Sequence, residues 1–160
     1  MKMNGIVGKN KLKIRLATKN DVVGLVNVNA EDEPLFRNVD RKMFLKKINA
    51  KQVFCAEIGK EIVGLLYWQT TFLDRSNQWY LQQITVGKKY RRQGIGYSLL
   101  KYFLNYAKRK KIEKVFGTIH NDNYPSLLMN LRQKAIVSGY LHGLGKQKDD
   151  GKIIMRWDLN

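Results

Sequence analysis

Between Val86 and Leu100 the chain reads Val-Gly-Lys-Lys-Tyr-Arg-Arg-Gln-Gly-Ile-Gly-Tyr-Ser-Leu-Leu, a run whose residue types and spacing suit the capture of a diphosphate. Gly94 and Gly96 allow a ligand to approach the backbone closely. The first N–H groups of a helix opening there lack internal partners, and its dipole adds roughly half a positive charge. Lys88, Lys89, Arg91 and Arg92 deepen this anion well. A P-loop would need four residues between its first glycine and a Gly-Lys pair, and no such string occurs. A dinucleotide fingerprint would need a third glycine where Leu99 stands, and the loop from Gly87 to Gln93 is too long for its tight turn.

The flanking pattern supplies elements to position this loop. Residues 1–10 form a loose extension, and residues 11–160 form one domain. Leu12, Ile14 and Leu16 alternate with basic residues as a half-buried strand. Helices are expected over about Asp21–Asn29 and Arg41–Asn49, separated by Glu31-Asp32-Glu33-Pro34. Gln52–Glu57 and Ile62–Gln69 read as a hairpin about Gly59-Lys60, with a loop over 74–77. In the next strand Trp79 and Leu81 are apolar on one parity, Ile84 and Val86 on the other. One extra residue near Gln82-Gln83 repairs that phase, the pattern of a β-bulge. Ile95, Leu99, Tyr102, Phe103, Tyr106 and Ala107 then mark one face of a sheet-packing helix that ends in the cationic run Lys108–Lys111. A strand over Val115–Ile119, a short helix opened by Pro125, and a closing pair at Ala135–His142 and Lys152–Leu159 follow, with Asp150-Gly151 as a turn.

Arg91-x-x-Gly94-x-Gly96 after the strand end Ile84-Thr85-Val86 resembles the acetyl-CoA pyrophosphate loop of the GNAT family of N-acetyltransferases. The resemblance implies an α/β (α+β) fold: a single domain with a mixed, mostly antiparallel central sheet flanked by helices, in which a splayed strand pair forms the acetyl-CoA slot. It implies that acetyl-CoA meets the backbone of Ile84, Thr85 and Val86 and the loop residues Arg91, Arg92, Gln93, Gly94, Ile95, Gly96 and Tyr97. Asn123 and Ser126 match the family's further coenzyme contacts, while Asn123 is also placed to cap the helix after it. The expected reaction is direct acetyl transfer to a primary amine, with the Ile84 N–H polarising the thioester carbonyl.

The chain departs from the family seven residues after Asn123, where Asn130 replaces the tyrosine that protonates the leaving thiolate. A thiol of pKa about 8.5 leaves tolerably unaided, and a general acid is worth about 10²–10⁴-fold. Tyr124 and Tyr140 lie near in sequence. No carboxylate lies between Trp79 and Val86 to serve as base; Tyr80 and Gln82 occupy that stretch, so a water relay, Glu57 or Asp74 is the alternative. Tyr80, Ile84 and Tyr124 are therefore the candidate catalytic residues.

The composition bounds the partners. With 160 residues, 44% of them apolar, the chain can bury one core. Nothing approaches the roughly 18 apolar residues that a membrane span needs, and no apolar signal core opens the chain, so a cytoplasmic protein without a membrane partner is expected. One cysteine and two histidines make no metal set, and Cys55, inside Val53-Phe54-Cys55-Ala56, reads as a core thiol. Thirty basic against thirteen acidic residues give +17, more than a coenzyme site needs. A lysine-rich, AT-biased genome accounts for such an excess, as does an acceptor that is acidic or carried on RNA. A monomer and a homodimer are both compatible with the sequence. The alternative function is a non-catalytic acyl-CoA- or RNA-binding module on the same fold.

Overall fold

The computed structural model describes residues 11–31, 40–73, 75–142 and 151–159. The loose extension, most of the acidic segment after Glu31, Asp74 and Asp150 lie outside them. The element order is β1 (Leu12–Leu16), α1 (Val22–Ala30), α2 (Arg41–Asn49), β2 (Val53–Ile58), β3 (Glu61–Gln69), β4 (Gln78–Val86), α3 (Ile95–Arg109), β5 (Lys114–His120), α4 (Tyr124–Arg132), β6 (Ile136–Leu141) and β7 (Lys152–Asp158). Among the described residues the strands form one seven-stranded mixed sheet in the order β1-β2-β3-β4-β5-β7-β6, accompanied by four α-helices. β4 and β5 run parallel, registering Gln78–Leu81 with Lys114–Gly117. β1 with β2, β2 with β3, β5 with β7 and β6 with β7 are antiparallel. No helix among the described residues is long and apolar enough to cross a membrane.

Two compact units divide the chain: one takes it as far as Tyr67 together with Gln83–Phe103, the other Trp68–Gln82 together with Leu104 onward. In the first, Leu25 and Val28 of α1, Phe44 and Ile48 of α2, and Val53, Cys55, Leu65 and Tyr67 of the strands bury one another. Phe54 points the other way, its ring edge-on to Tyr102 of α3 at 5.0 Å. A side chain at Gly64 would press on Leu99 and Ile95, so glycine lets α3 lie close to β3. Packed against the first core, the Cys55 thiol is fully buried and pushed up to about 12 by desolvation, which makes it a packing group and a poor nucleophile.

β1 is tied to the start of α1 by charge. Arg15 donates to both oxygens of Asp21, at 2.7 and 2.9 Å, and to Glu57 on β2, while the Thr18 N–H and hydroxyl also reach Asp21. The guanidinium and these further donors hold the buried Asp21 at about 2, against an ordinary 3.8. A depressed carboxylate stabilises the fold above its unfolded pKa, and that contribution is lost as pH falls through its folded value. Asp21 is therefore expected to contribute about 2 kcal/mol at pH 7 and nothing below pH about 2. Urea midpoints of Asp21→Asn should accordingly fall less than wild type's between pH 5 and 2.

Three helices end alike. After α3 the Ile112 N–H reaches Ala107 O and the Lys111 N–H reaches Lys108 O, which is a Schellman closure with Lys111 at φ 59°. Lys51 after α2 (φ 54°) and Lys134 after α4 (φ 63°) repeat it. Glycine normally takes that left-handed position, because a Cβ there strains the backbone. Lys111→Gly is expected to stabilise the protein by roughly 0.5–1 kcal/mol, read as a higher melting temperature.

The second unit is held by aromatic contacts. Trp68 stacks on Trp79 at 5.7 Å and meets Tyr106 at 5.8 Å, and Phe72 stacks on Phe116 at 4.6 Å. β6 ends the sheet, with Ile136, Val137, Tyr140 and Leu141 exposed.

Candidate functional site

β4 changes phase along its length. Tyr67 and Trp68 are consecutive on β3 and so point to opposite faces. Trp79 touches Trp68, whereas Gln83 accepts from the Tyr67 hydroxyl at 2.5 Å. Both β4 residues have odd numbers, and a regular strand would send them to one face. The slip read from the apolar pattern thus lies between them. Its effect on burial differs from the expectation: polar Gln83 and Thr85 are the buried pair, while Ile84 and Val86 are half-buried.

The loop after β4 is pinned at several points. The Gly87 N–H donates to Val63 O at 3.0 Å, and the Lys88 N–H to the Glu31 carboxylate at the end of α1. A 3-10 turn over Lys88–Tyr90 follows, in which Tyr90 donates to Glu61 at 2.6 Å. That bond raises the Tyr90 pKa, and Lys89 Nζ lies 5.2 Å from its ring, so this tyrosine is engaged within the loop. Arg91 Nε returns to Val86 O at 2.9 Å, and Gln93 Nε2 to Lys89 O at 3.3 Å.

These ties leave the far side of the loop open. Arg92 and Gly94 both take left-handed conformations, φ 62° and 79°, and a Cβ built on Gly94 would meet nothing within 4 Å. The Ser98 N–H closes on Gly94 O at 2.9 Å, so Ile95, Gly96 and Tyr97 are the first residues of α3. Their N–H groups have no partner within the helix. An open glycine, unpartnered helical N–H groups and exposed Lys88, Lys89, Arg91 and Arg92 fit an anionic ligand of diphosphate size.

Of the residues expected at the site, Ile84, Thr85, Val86 and Arg91 through Tyr97 come together in the first unit. Tyr80, Asn123, Tyr124 and Ser126 belong to the second. Tyr80 is half-buried, its hydroxyl 2.8 Å from Thr118 Oγ1 and its ring stacked on Phe72. Asn123 Oδ1 accepts from the Ser126 N–H at 3.2 Å, the N-cap of α4. Tyr124 is 66% exposed in the first turn of that helix. Asn130, where the resemblance led a tyrosine to be expected, is buried and donates to Ser126 O at 2.6 Å, one turn back within α4. Glu57 does not suit a general base: Arg15 and Lys13 hold its carboxylate and lower its pKa.

Sequence reasoning missed a cluster beneath Ile84. Gln83 Nε2 donates to Asn29 Oδ1 at 2.9 Å and to Thr85 Oγ1 at 2.7 Å, completing a buried chain from α1 through β4 to Tyr67. The signal available was the phase slip itself, which turns Gln83 and Thr85 inward.

A family model described as the Acetyltransferase (GNAT) family matches residues 24–129. No curated protein sequence matches the chain. Among solved structures, an N-acetyltransferase from Staphylococcus aureus Mu50 superposes with TM-score 0.82 at 18% identity, covering 94% of this chain and 99% of that one. The structure of yncA from Salmonella typhimurium, solved with its cofactor acetyl-CoA, gives TM-score 0.83 at 18% identity over 94% and 95% of the two chains. A ribosomal-protein-alanine N-acetyltransferase from Brucella melitensis gives 0.80 at 23% identity over 92% and 99%.

Proposed function

Because this chain belongs to the GNAT acetyltransferase family, we propose that it is an acetyl-CoA-dependent N-acetyltransferase working by direct transfer. The observation that carries the reading is the pinned loop with its open Gly94 at the start of α3. The N–H groups of Ile95, Gly96 and Tyr97, with the cations of Lys88, Lys89, Arg91 and Arg92, would hold the coenzyme's diphosphate. When bound, acetyl-CoA supplies a thioester whose carbonyl carbon an amine can attack. The backbone of Ile84, Thr85 and Val86 would orient the acyl arm, and the Ile84 N–H would polarise its carbonyl. Asn123 and Ser126 match the family's remaining coenzyme contacts.

The proton inventory shapes the acceptor. β4 carries no carboxylate, and Glu57 is committed to Arg15 and Lys13. The amine would therefore lose its proton to solvent, through water hydrogen-bonded to the strand backbone. An α-amine of pKa about 8 does so far more readily than a lysine near 10.4, so a peptide N-terminus, a small α-amine or an aminoacyl-RNA is the preferred acceptor class. The +17 net charge favours acidic or RNA-linked carriers among these. The rate should rise with pH through the acceptor's own pKa. Tyr80, or Tyr124 through its exposed hydroxyl, would assist proton transfer. The buried free thiol of Cys55 agrees with a cytoplasmic location.

Asn130 favours a second reading, a binding module that holds acyl-CoA without turnover, because its amide is committed to α4. Acetyl-CoA titration followed by thiol release across peptide, small-amine and aminoacyl-RNA panels separates the two. Release above background supports the enzyme; saturable binding with background release on every panel supports the module.

A further inference from the structure

We propose that the buried quartet Asn29, Tyr67, Gln83 and Thr85 is a positioning element for acetyl transfer, fixing the peptide units on either side of Ile84; this rests on the reading of the Ile84 N–H given above. The four residues are only 4%, 6%, 7% and 1% exposed. Gln83 sits at the centre of the quartet. Its Oε1 accepts from Tyr67 at 2.5 Å, and its Nε2 donates to Asn29 at 2.9 Å and to Thr85 at 2.7 Å.

Apolar side chains would fill this space without the desolvation that four polar groups incur. Hydrogen bonds add direction, which apolar packing lacks. Gln83 and Thr85 flank Ile84 on one strand, and their side chains bond to each other beneath it. Rotating the peptide that carries the Ile84 N–H would strain that bond and the two others that hold Gln83. Asn29 anchors the pair to the end of α1, and two residues later Glu31 accepts from the Lys88 N–H. One helix end thus holds both the strand proposed for the acyl group and the turn leading to the diphosphate loop. The quartet also lies next to the phase change of β4, where a regular ladder would otherwise set the strand's direction.

Infrared difference spectroscopy with acetyl-CoA labelled with carbon-13 at the thioester carbonyl reads the Ile84 contact without an acceptor. In the wild type the bound carbonyl band should lie below that of free coenzyme. Thr85→Val, Tyr67→Phe and Gln83→Met should each shrink that displacement by at least about half while the acetyl-CoA Kd changes less than about threefold. Thr85→Ser, which keeps the hydroxyl, should restore it. A merely structural quartet would lower the melting temperature and leave the band in place. Should Gln83→Met fail to fold, the Thr85→Val and Thr85→Ser pair carries the comparison. A displaced wild-type band that persists in the variants would overturn the positioning role alone. A wild-type band at the free-coenzyme frequency would overturn the Ile84 reading and the positioning role with it.

Discussion

Replacing Gly94 with valine is expected to abolish acetyl-CoA binding while the protein remains folded. The position is left-handed at φ 79°, and an added Cβ meets no protein atom within 4 Å, so the new side chain would occupy the space assigned to the diphosphate. Backbone strain at such a site costs about 1–3 kcal/mol, within the 5–15 kcal/mol that typical domains hold. In the wild type, acetyl-CoA at a hundred times its Kd should add about 2.7 kcal/mol, raising the melting temperature by roughly 5–10 °C for a chain of this size. A hundredfold weaker variant would gain about 0.4 kcal/mol under the same conditions, or roughly 1 °C. A full thermal shift in the variant would refute the loop assignment.

Phe44→Ala should be the most damaging single truncation on the helical side of the first unit. Phe44 is fully buried on α2, its ring edge-on to Tyr67 at 6.1 Å. Removing a buried phenyl ring costs about 3–5 kcal/mol through lost transfer energy and the cavity left behind. That corresponds to a melting temperature lower by roughly 6–20 °C. Tyr67 would lose the ring that orients it, so the quartet around Gln83 should loosen as well. Chemical denaturation with an unchanged m-value and a midpoint shift worth less than about 1 kcal/mol, taken as m times the shift, would contradict this packing account.

Much of the frame was legible because apolar periodicity and turn residues agreed. Arg41–Asn49 matches α2 to the residue, the hairpin about Gly59-Lys60 is present with Gly59 at φ 66°, and Ile95, Leu99 and Phe103 are buried along α3 as their spacing requires. The phase slip in β4 was readable for the same reason. What the sequence concealed is polar. A glutamine and a threonine that partner each other inside the fold look, as letters, like solvent-facing residues, and the phase slip indicates the face they turn to but not what satisfies them there. Only the tertiary approach of Asn29 and Tyr67 makes their burial favourable. Glu57 was misleading in the opposite sense. A lone carboxylate on a strand suits a base until Arg15 and Lys13, some forty residues away, are seen to hold it. Asn130 was visible in the sequence as a departure from the expected tyrosine, but its setting was not: only the structure shows the side chain buried and bonded to Ser126 O within α4.

The glycine loop after β4, proposed to hold the coenzyme, was the clearest feature of the sequence, and the structure adds its mechanical basis. Glu31, Val63, Glu61 and Val86 each fix one point of the path from Gly87 to Arg91, so the turn leading to the proposed diphosphate site is tied down by the protein itself. Such preorganisation lowers the ordering cost of binding.

Transfer of an isotopically labelled acetyl group tests the central claim most directly. The wild type and Gly94→Val would each be incubated with labelled acetyl-CoA and a panel of peptide N-termini, small α-amines and aminoacyl-RNAs, with products read by mass spectrometry. The account predicts a labelled amide on an α-amine that forms only with the wild type, at a rate rising with pH through the acceptor's pKa. Label that binds saturably to the wild type yet reaches no amine in the panel, or that is transferred equally well by the Gly94 variant, would contradict it.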